Sequence, residues 1–438
     1  MNTNVPVQNS LLRADAKLKT ASVALEDFRG LVREKVIYIL SVNLEGMGLA
    51  KRLRHLGFQV GGFVDSRYKK NIDGLPVFGL DAFFNSSDTP NRVLIVATKD
   101  RVWKQKSLER AIGSGYVRGA NLFTPLDLCP YFPTIEIAGK CNLVCKTCDM
   151  GLPGANKGRG HMSKETFRKV LEKLTSEIPF LNSVALYTWG EPLTNSDIAE
   201  IIKIANKMGV ATEVSSNLES HKHLDEFVLA EPEQIVAPCA GIGERYERGR
   251  TGGTWDNYLK GLRRISELKK KHDLNISLRI MYHIYKDNLD SDYDEIQKIA
   301  KELGFQVIPI LAHLFPGQVF RHAVSGQNIP EVMREAEQNL VFGLNDQLRF
   351  AQARKDKPCH IMQAFPTIAW DGRVLHCCNM QTPFVGSRRY LDAPLDEFIA
   401  IRDRSAFCTK CMDVGVHRFF DVNIKLQEGE NGREVIRL

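Results

Sequence analysis

From Thr134 to about Leu314 the sequence repeats one pattern six times, a short apolar run followed by a longer amphipathic one. The apolar runs are Ile135 to Ala138, Val184 to Tyr187, Ala211 to Val214, Gln234 to Ala237, Ile276 to Met281 and Gln306 to Ile310, each of strand length. Between them, Ser163 to Leu174 places Phe167, Val170, Leu171 and Leu174 on one helical face. The segments Asp197 to Met208 and Ser291 to Leu303 stop at Gly209 and Gly304, the residue a helix C-cap favours. Six strand-helix pairs predict an α/β fold with a parallel sheet curled into a partial (β/α)6, TIM-like barrel. Its active site belongs at the carboxyl ends of the strands.

The first of those ends carries Cys141, Cys145 and Cys148 in a C-x3-C-x2-C run, just after the strand closed by Gly139. Three soft thiolates on one loop can bind one metal centre, and they select iron-sulfur clusters, zinc or copper(I). A missing fourth ligand leaves a metal position open to a substrate or cofactor. The first residues, MNTNVPVQNS, show no basic region followed by an apolar core, and no run of about 18 apolar residues occurs. Neither export nor a membrane span is expected. Ten cysteines then point to metal ligation in a reducing, cytoplasmic setting, not to disulfides. A net charge of +7, whose longest cluster is Lys269 to Lys271, does not predict nucleic-acid binding.

At 438 residues the chain is too long for one ordinary domain. Residues 1–34 are expected to hold an N-terminal helix, over 10–33, whose Leu11, Ala14, Leu18, Ala21, Leu25, Phe28 and Val32 make an a/d seam. Docking on its own chain is the ordinary use of such a seam; a homodimer contact is the other. Residues 35–127 read as a Rossmann-like βαβ domain with strands at Val36 to Leu40, Gln59 to Val64 and Val93 to Ala97. Its first turn has Ser41 and Asn43 where a dinucleotide fold needs glycine, so NAD binding is not expected. This segment, with its GFVD and LPVFG runs, resembles the N-terminal modules of sugar acyltransferases and other glycan-modifying enzymes. The resemblance implies a nucleotide-sugar or partner docking role, beside a purely structural one. Residues 128–325 form the barrel and 326–356 a helical connector. Residues 357–438 form a small cysteine-rich α+β domain, where Asp371-Gly372 reads as a hairpin turn.

The C-x3-C-x2-C run after a first barrel strand resembles the signature of radical S-adenosylmethionine (radical SAM) enzymes. The resemblance implies that Cys141, Cys145 and Cys148 hold a [4Fe-4S] cluster with one open iron, chelated by S-adenosyl-L-methionine, which yields a 5′-deoxyadenosyl radical that removes a substrate hydrogen. Thr147 stands where an aromatic residue is usual. Further cofactor contacts are implied for Met150, for Trp189, Gly190 and Glu191 in a glycine-glutamate-proline-like turn, and for Ser215 and Asn217 after the third strand, where short polar side chains suit ribose hydroxyls. Arg250 and Arg279 are candidates for the methionine carboxylate. Before Gly241, Pro238-Cys239-Ala240 replaces the usual acidic residue, which makes Cys239 a candidate hydrogen-atom donor; an inert buried thiol is the plainer reading.

In the tail, Cys359, Cys377, Cys408 and Cys411 resemble the short, twitch-type form of the SPASM extension, which carries one fully ligated auxiliary [4Fe-4S] cluster. A structural zinc fits four thiolates as well, and Cys378 is an alternative to Cys377 as ligand. The resemblance implies oxidation of a sugar-like or nucleotide-sugar substrate at a hydroxyl-bearing carbon, with a flavodoxin or ferredoxin as electron donor. Epimerisation through Cys239, peptide maturation and a zinc-binding scaffold are the competing expectations.

Overall fold

The computed structural model describes residues 22–68, 71–86, 88–289, 292–359, 361, 366–381 and 383–421, with the backbone of 425–428 and 434–437. The N-terminal part is an all-parallel sheet of five strands, β1 (Val36–Leu40), β2 (Val60–Val64), β3 (Val77–Phe78), β4 (Arg92–Val96) and β5 (Leu122–Phe123), in the order β3-β2-β1-β4-β5. After β1 the helix Leu44–His55 starts at Asn43, whose side chain accepts from Gly46 N at 2.9 Å. The turn is closed from within, since Val42 N donates to Asp65 Oδ2 at 3.0 Å and Arg67 pairs with the same carboxylate at 2.7 Å. The acidic residue that would meet a ribose is therefore engaged by the loop and by arginine.

The larger sheet has nine strands. Six are parallel and adjacent in chain order: β6 (Thr134–Ile135), β7 (Ser183–Ala185), β8 (Ala211–Ser215), β9 (Gln234–Cys239), β10 (Ser277–Ile284) and β11 (Gln306–Leu311). The first ladder is shorter than expected, because past Ile135 the chain leaves β7 and pairs with 160–162, through Gly139 N to Gly160 O at 2.8 Å and Met162 N to Ile137 O at 3.0 Å. β10 runs three residues past its expected end, and its alternating burial gives Arg279, Met281 and His283 one common face.

The tail does not form a sheet of its own. β12 (Thr367–Ile368) pairs parallel with β6, and β13 (Arg373–Leu375) and β14 (Phe384–Arg389) follow antiparallel, so the barrel sheet continues into it. The turn at Asp371-Gly372 is present, with Gly372 at φ 84°. β13 runs back against β12, so the segment after it, Cys377 and Cys378 included, continues alongside the start of β6. Short antiparallel strands at Lys425–Glu428 and Glu434–Arg437 complete the described backbone. The connector is helical at Glu331–Glu337 and Leu344–Gln352.

The two main sheets meet through the helix Leu44–His55, which lies at the amino ends of β7 and β8. Arg52, 4% exposed, donates to the carbonyls of Pro179 at 2.6 Å and Met208 at 2.8 Å, and Lys51 pairs with Glu233. A Cβ at Gly48 would lie 2.3 Å from Asn182 O. Glycine there is a packing requirement of the barrel contact. Of the expected N-terminal helix, Leu25–Leu31 is described; Leu11, Ala14, Leu18 and Ala21 lie outside the described residues. Phe28 is fully buried and meets Phe58, Phe123 and Phe180 edge-on at 5.3 Å, while Val32 and Leu25 pack on the same core. These three seam positions are taken by the chain itself. Among the described residues no helix is long and apolar enough to cross a membrane.

Candidate functional site

A cavity of about 320 Å³ opens at the carboxyl ends of β6 to β11. Cys141, Cys145 and Cys148 line it, with Trp189, Gly190 and Glu191 from the turn after β7, Ser215 and Asn217 from the end of β8, and Arg250. The loop bearing the cysteines is held by Asn156, whose amide accepts from Cys141 N and donates to Cys141 O, both at 3.0 Å. Val144 N donates to Thr251 O at 2.9 Å, which ties the loop to the stretch after β9. Backbone N–H groups of Leu143 and Met150 point at the sulfurs of Cys141 and Cys148, at 3.5 and 3.4 Å. Burial, then the Glu191 carboxylate, pushes the Cys141 thiol up to about 12, and burial also raises Cys148. At neutral pH such thiols ionise when a metal centre displaces their protons.

The turn after β7 is built around close contacts. A Cβ at Gly190 would fall 1.9 Å from Ala138 O and 2.7 Å from Lys140 O, and Glu191 N donates to Lys140 O at 2.8 Å. The buried Glu191 carboxylate accepts from Asn217 N at 2.8 Å, Leu193 N at 3.0 Å and Ser216 Oγ at 2.7 Å. Burial, the leading effect, raises its pKa against the pull of these donors. Glu191 thus works as a clasp between two strand ends. Asn217 extends the clasp to the cysteine loop, donating to Asn142 Oδ1 at 2.9 Å. Beside Thr147 the aromatic packing comes from Phe315, whose N donates to Thr147 O at 3.0 Å and whose ring lies 4.8 Å from that of Trp189.

Two buried polar atoms on residues of this cavity, Trp189 Nε1 and Arg250 Nε, have no hydrogen-bond partner among the described residues. Burial alone would lower the Arg250 pKa, yet the nearby Cys145, Tyr246 and Tyr285 raise it. A ligand with acceptor atoms, such as an amino-acid carboxylate, fits these orphaned donors. Three thiols, a glycine cradle and unpaired donors together fit a cluster and S-adenosylmethionine.

Three expected cofactor or catalytic positions are not brought to this cavity. Cys239 is fully buried on the opposite face of β9, in the hydrophobic core, where its Sγ lies 3.2 Å from Gly241 O; Pro238 lines the cavity in its place. Strand alternation turns successive side chains to opposite faces, which removes Cys239 as a donor to anything in the cavity. Arg279 sits on the right face of β10 but two residues too low, lining a separate cavity near Tyr68 and Arg67. Met150 packs beside Trp189, Ala369 and Leu375 without lining the space.

His283 and His313 do line the cavity, on β10 and after β11, and sequence reasoning missed both. Alternation from Met281 would have found His283. Burial and then the Arg250 cation depress His283 to about 3, and burial depresses His313 to about 4. His313 Nδ1 lies 2.9 Å from Gln347 Oε1, while the Gln347 amide nitrogen bonds Phe342 O, so Nδ1 carries the proton and Nε2 the lone pair. Between the ordinary value near 6.5 and about 4, the unfolded chain binds a proton that the folded one does not. Stability is therefore expected to fall as pH drops through that window, and His313→Gln to make the fall shallower. Urea unfolding midpoints at pH 7 and pH 5 for both proteins check this.

In the tail, Cys359, Cys377, Cys408 and Cys411 all line one small cavity of about 40 Å³. Cys378 does not; it lines the larger cavity together with Asn379. Burial raises the Cys408 thiol to about 11, and Cys411 also lies above its ordinary value. Among the described residues no three Cys, His, Asp or Glu side chains are drawn around one point as a mononuclear site requires.

The model of the Radical SAM superfamily matches residues 135–298. The 7,8-dihydro-6-hydroxymethylpterin dimethyltransferase of Methanocaldococcus jannaschii is 34% identical over 117 residues, 25% of this chain and 22% of that protein. The match thus spans about a fifth of that relative's length. Among solved structures, SuiB of Streptococcus suis bound to precursor peptide SuiA is 14% identical, with 72% of this chain and 82% of that chain covered and a TM-score of 0.45. BtrN in complex with AdoMet and 2-DOIA is 12% identical over 70% of this chain and 98% of its own, with a TM-score of 0.34. Residues 135–298, the stretch that matches the Radical SAM superfamily model, carry the cysteine loop and the Gly190-Glu191 turn.

Proposed function

We propose that this chain is a radical SAM enzyme that oxidises a hydroxyl-bearing carbon of a sugar-like substrate. Cys141, Cys145 and Cys148 would hold a [4Fe-4S] cluster, and Cys359, Cys377, Cys408 and Cys411 a second one. When bound, the first with S-adenosylmethionine supplies hydrogen-atom abstraction and the second an acceptor for one electron. The observation that carries the reading is the pair Cys377 and Cys378. Adjacent in sequence, they line the small four-cysteine cavity and the large cavity respectively, so the two spaces share one wall. A substrate in the large cavity lies beside both cysteine groups.

The chain's own residues supply the rest. Trp189 Nε1 and Arg250 Nε orient the amino-acid end of the cofactor, and Gly190 lets their turn lie against the backbone that leads into the cysteine loop. Neutral His283 and His313, with Ser215 and Asn379, offer hydrogen-bonding partners suited to a polyhydroxylated molecule. Loss of the carbon-bound hydrogen atom, one further electron and the hydroxyl proton converts C–OH to C=O. His313, neutral on the wall of the cavity, would take that proton.

Incubation with S-adenosylmethionine, a reduced flavodoxin and nucleotide sugars deuterated at each carbon in turn tests this. The expected product is lighter than its substrate by two hydrogens, with the label found in 5′-deoxyadenosine; label transfer without that mass loss would sink the oxidation. Cys378 favours a second reading, epimerisation. Its thiol would return a hydrogen atom to the substrate carbon, and the sulfur radical would be restored by one electron from the donor protein and a solvent proton. That outcome leaves the mass unchanged and incorporates solvent deuterium, and Cys378→Ala would abolish it.

A further inference from the structure

Arg402 lies in the helix Leu395–Asp403 and is 2% exposed, the largest fully buried side chain of the described chain. Its Nε and Nη2 are buried and have no hydrogen-bond partner among the described residues. A guanidinium stays charged at any physiological pH, and a buried unpaired charge is among the costliest features a fold can carry. Such a cation persists where a negative charge faces it. Asp403, the next residue, is the one carboxylate that acts on it among the described residues, and it is exposed to solvent. The other groups in its field are Cys408, Cys359 and Cys377, three of the four cysteines of the small tail cavity. As neutral thiols they leave only the solvent-screened Asp403 to offset the buried cation. As thiolates around a metal centre they make that centre a net anion.

We infer that Arg402 is the built-in counter-charge of an anionic tetrathiolate cluster at Cys359, Cys377, Cys408 and Cys411, and that it sets the potential at which that cluster takes an electron. The inference rests on the tail-cluster reading above. Reduction adds negative charge to the centre, and a fixed cation beside it favours the reduced state. Arg402 is a positioning residue in this account; it touches neither substrate nor S-adenosylmethionine.

The test uses the full chain carrying Cys141→Ala, Cys145→Ala and Cys148→Ala, so that the tail centre is observed alone. Iron is counted first: a parent without iron overturns the tail-cluster reading before Arg402 is altered. The midpoint potential is then measured by EPR-monitored titration in the parent, Arg402→Met and Arg402→Lys. Arg402→Met is expected to lower the reduction equilibrium constant at least tenfold, 59 mV for a one-electron couple, and Arg402→Lys to restore most of it. Loss of iron from Arg402→Met but not from Arg402→Lys also supports the assignment, since charge alone separates them. Reduction equilibrium constants within threefold of the parent in both variants, or iron lost from both alike, would overturn it.

Discussion

Glu191→Ala is expected to destabilise the chain by about 3 kcal/mol or more and to empty the first cysteine loop of iron. The carboxylate is buried and receives three donors, Asn217 N, Leu193 N and Ser216 Oγ. Each donor left unpaired in a buried place costs about 1–3 kcal/mol. Two of the three belong to the strand end after β8, and Asn217 in turn holds Asn142 of the cysteine loop, so the loss spreads from the clasp to the metal ligands. Glu191→Gln keeps the shape and one accepting oxygen, and a smaller effect follows. Urea unfolding and iron content, measured side by side, check the order Ala worse than Gln.

Gly190→Ala is the second large effect. The added methyl would sit 1.9 Å from Ala138 O and 2.7 Å from Lys140 O, against backbone on both sides, where no rotamer change relieves it. Overpacking of this kind costs about 1–3 kcal/mol, more when backbone must move. Here the backbone that must move leads directly into Cys141. The expected result is loss of the first cluster with the tail cluster retained, about half of the total iron. An Arg402→Met chain is expected to leave the iron of the first site unchanged.

Much of this site was legible because its chemistry is local in sequence. The spacing of Cys141, Cys145 and Cys148, and the glycine before Glu191, are constraints of one loop and one turn, and both fall at the cavity. The strand order followed from six apolar runs, since adjacent parallel strands need only strand-length apolar segments with helices between. What was not legible is which way a side chain faces when both faces of a strand are buried. After Gln234 β9 is apolar, so nothing in its pattern told Pro238 from Cys239. Arg279 was placed on the right strand at the wrong height, because the end of β10 lay three residues further on.

Contacts between distant segments were invisible for a different reason. The pairing of β12 with β6 merges two expected domains into one sheet, and no local signal announces it. Arg402, read in its helix, is an ordinary charged residue of the kind that faces solvent; its burial is fixed by the elements folded over it. Gly48, two residues past the broken dinucleotide motif, serves the contact of the helix Leu44–His55 with the barrel strands.

The most direct test of the central claim is the metal content and chemistry of the anaerobically prepared protein, alone and with Cys141, Cys145 and Cys148 replaced by alanine. The account predicts a brown protein with about eight irons, falling to about four in the triple variant. 5′-Deoxyadenosine should form from S-adenosylmethionine and dithionite in the first protein and not in the second. A colourless zinc protein, or a triple variant that keeps all its iron and still forms 5′-deoxyadenosine, would contradict it.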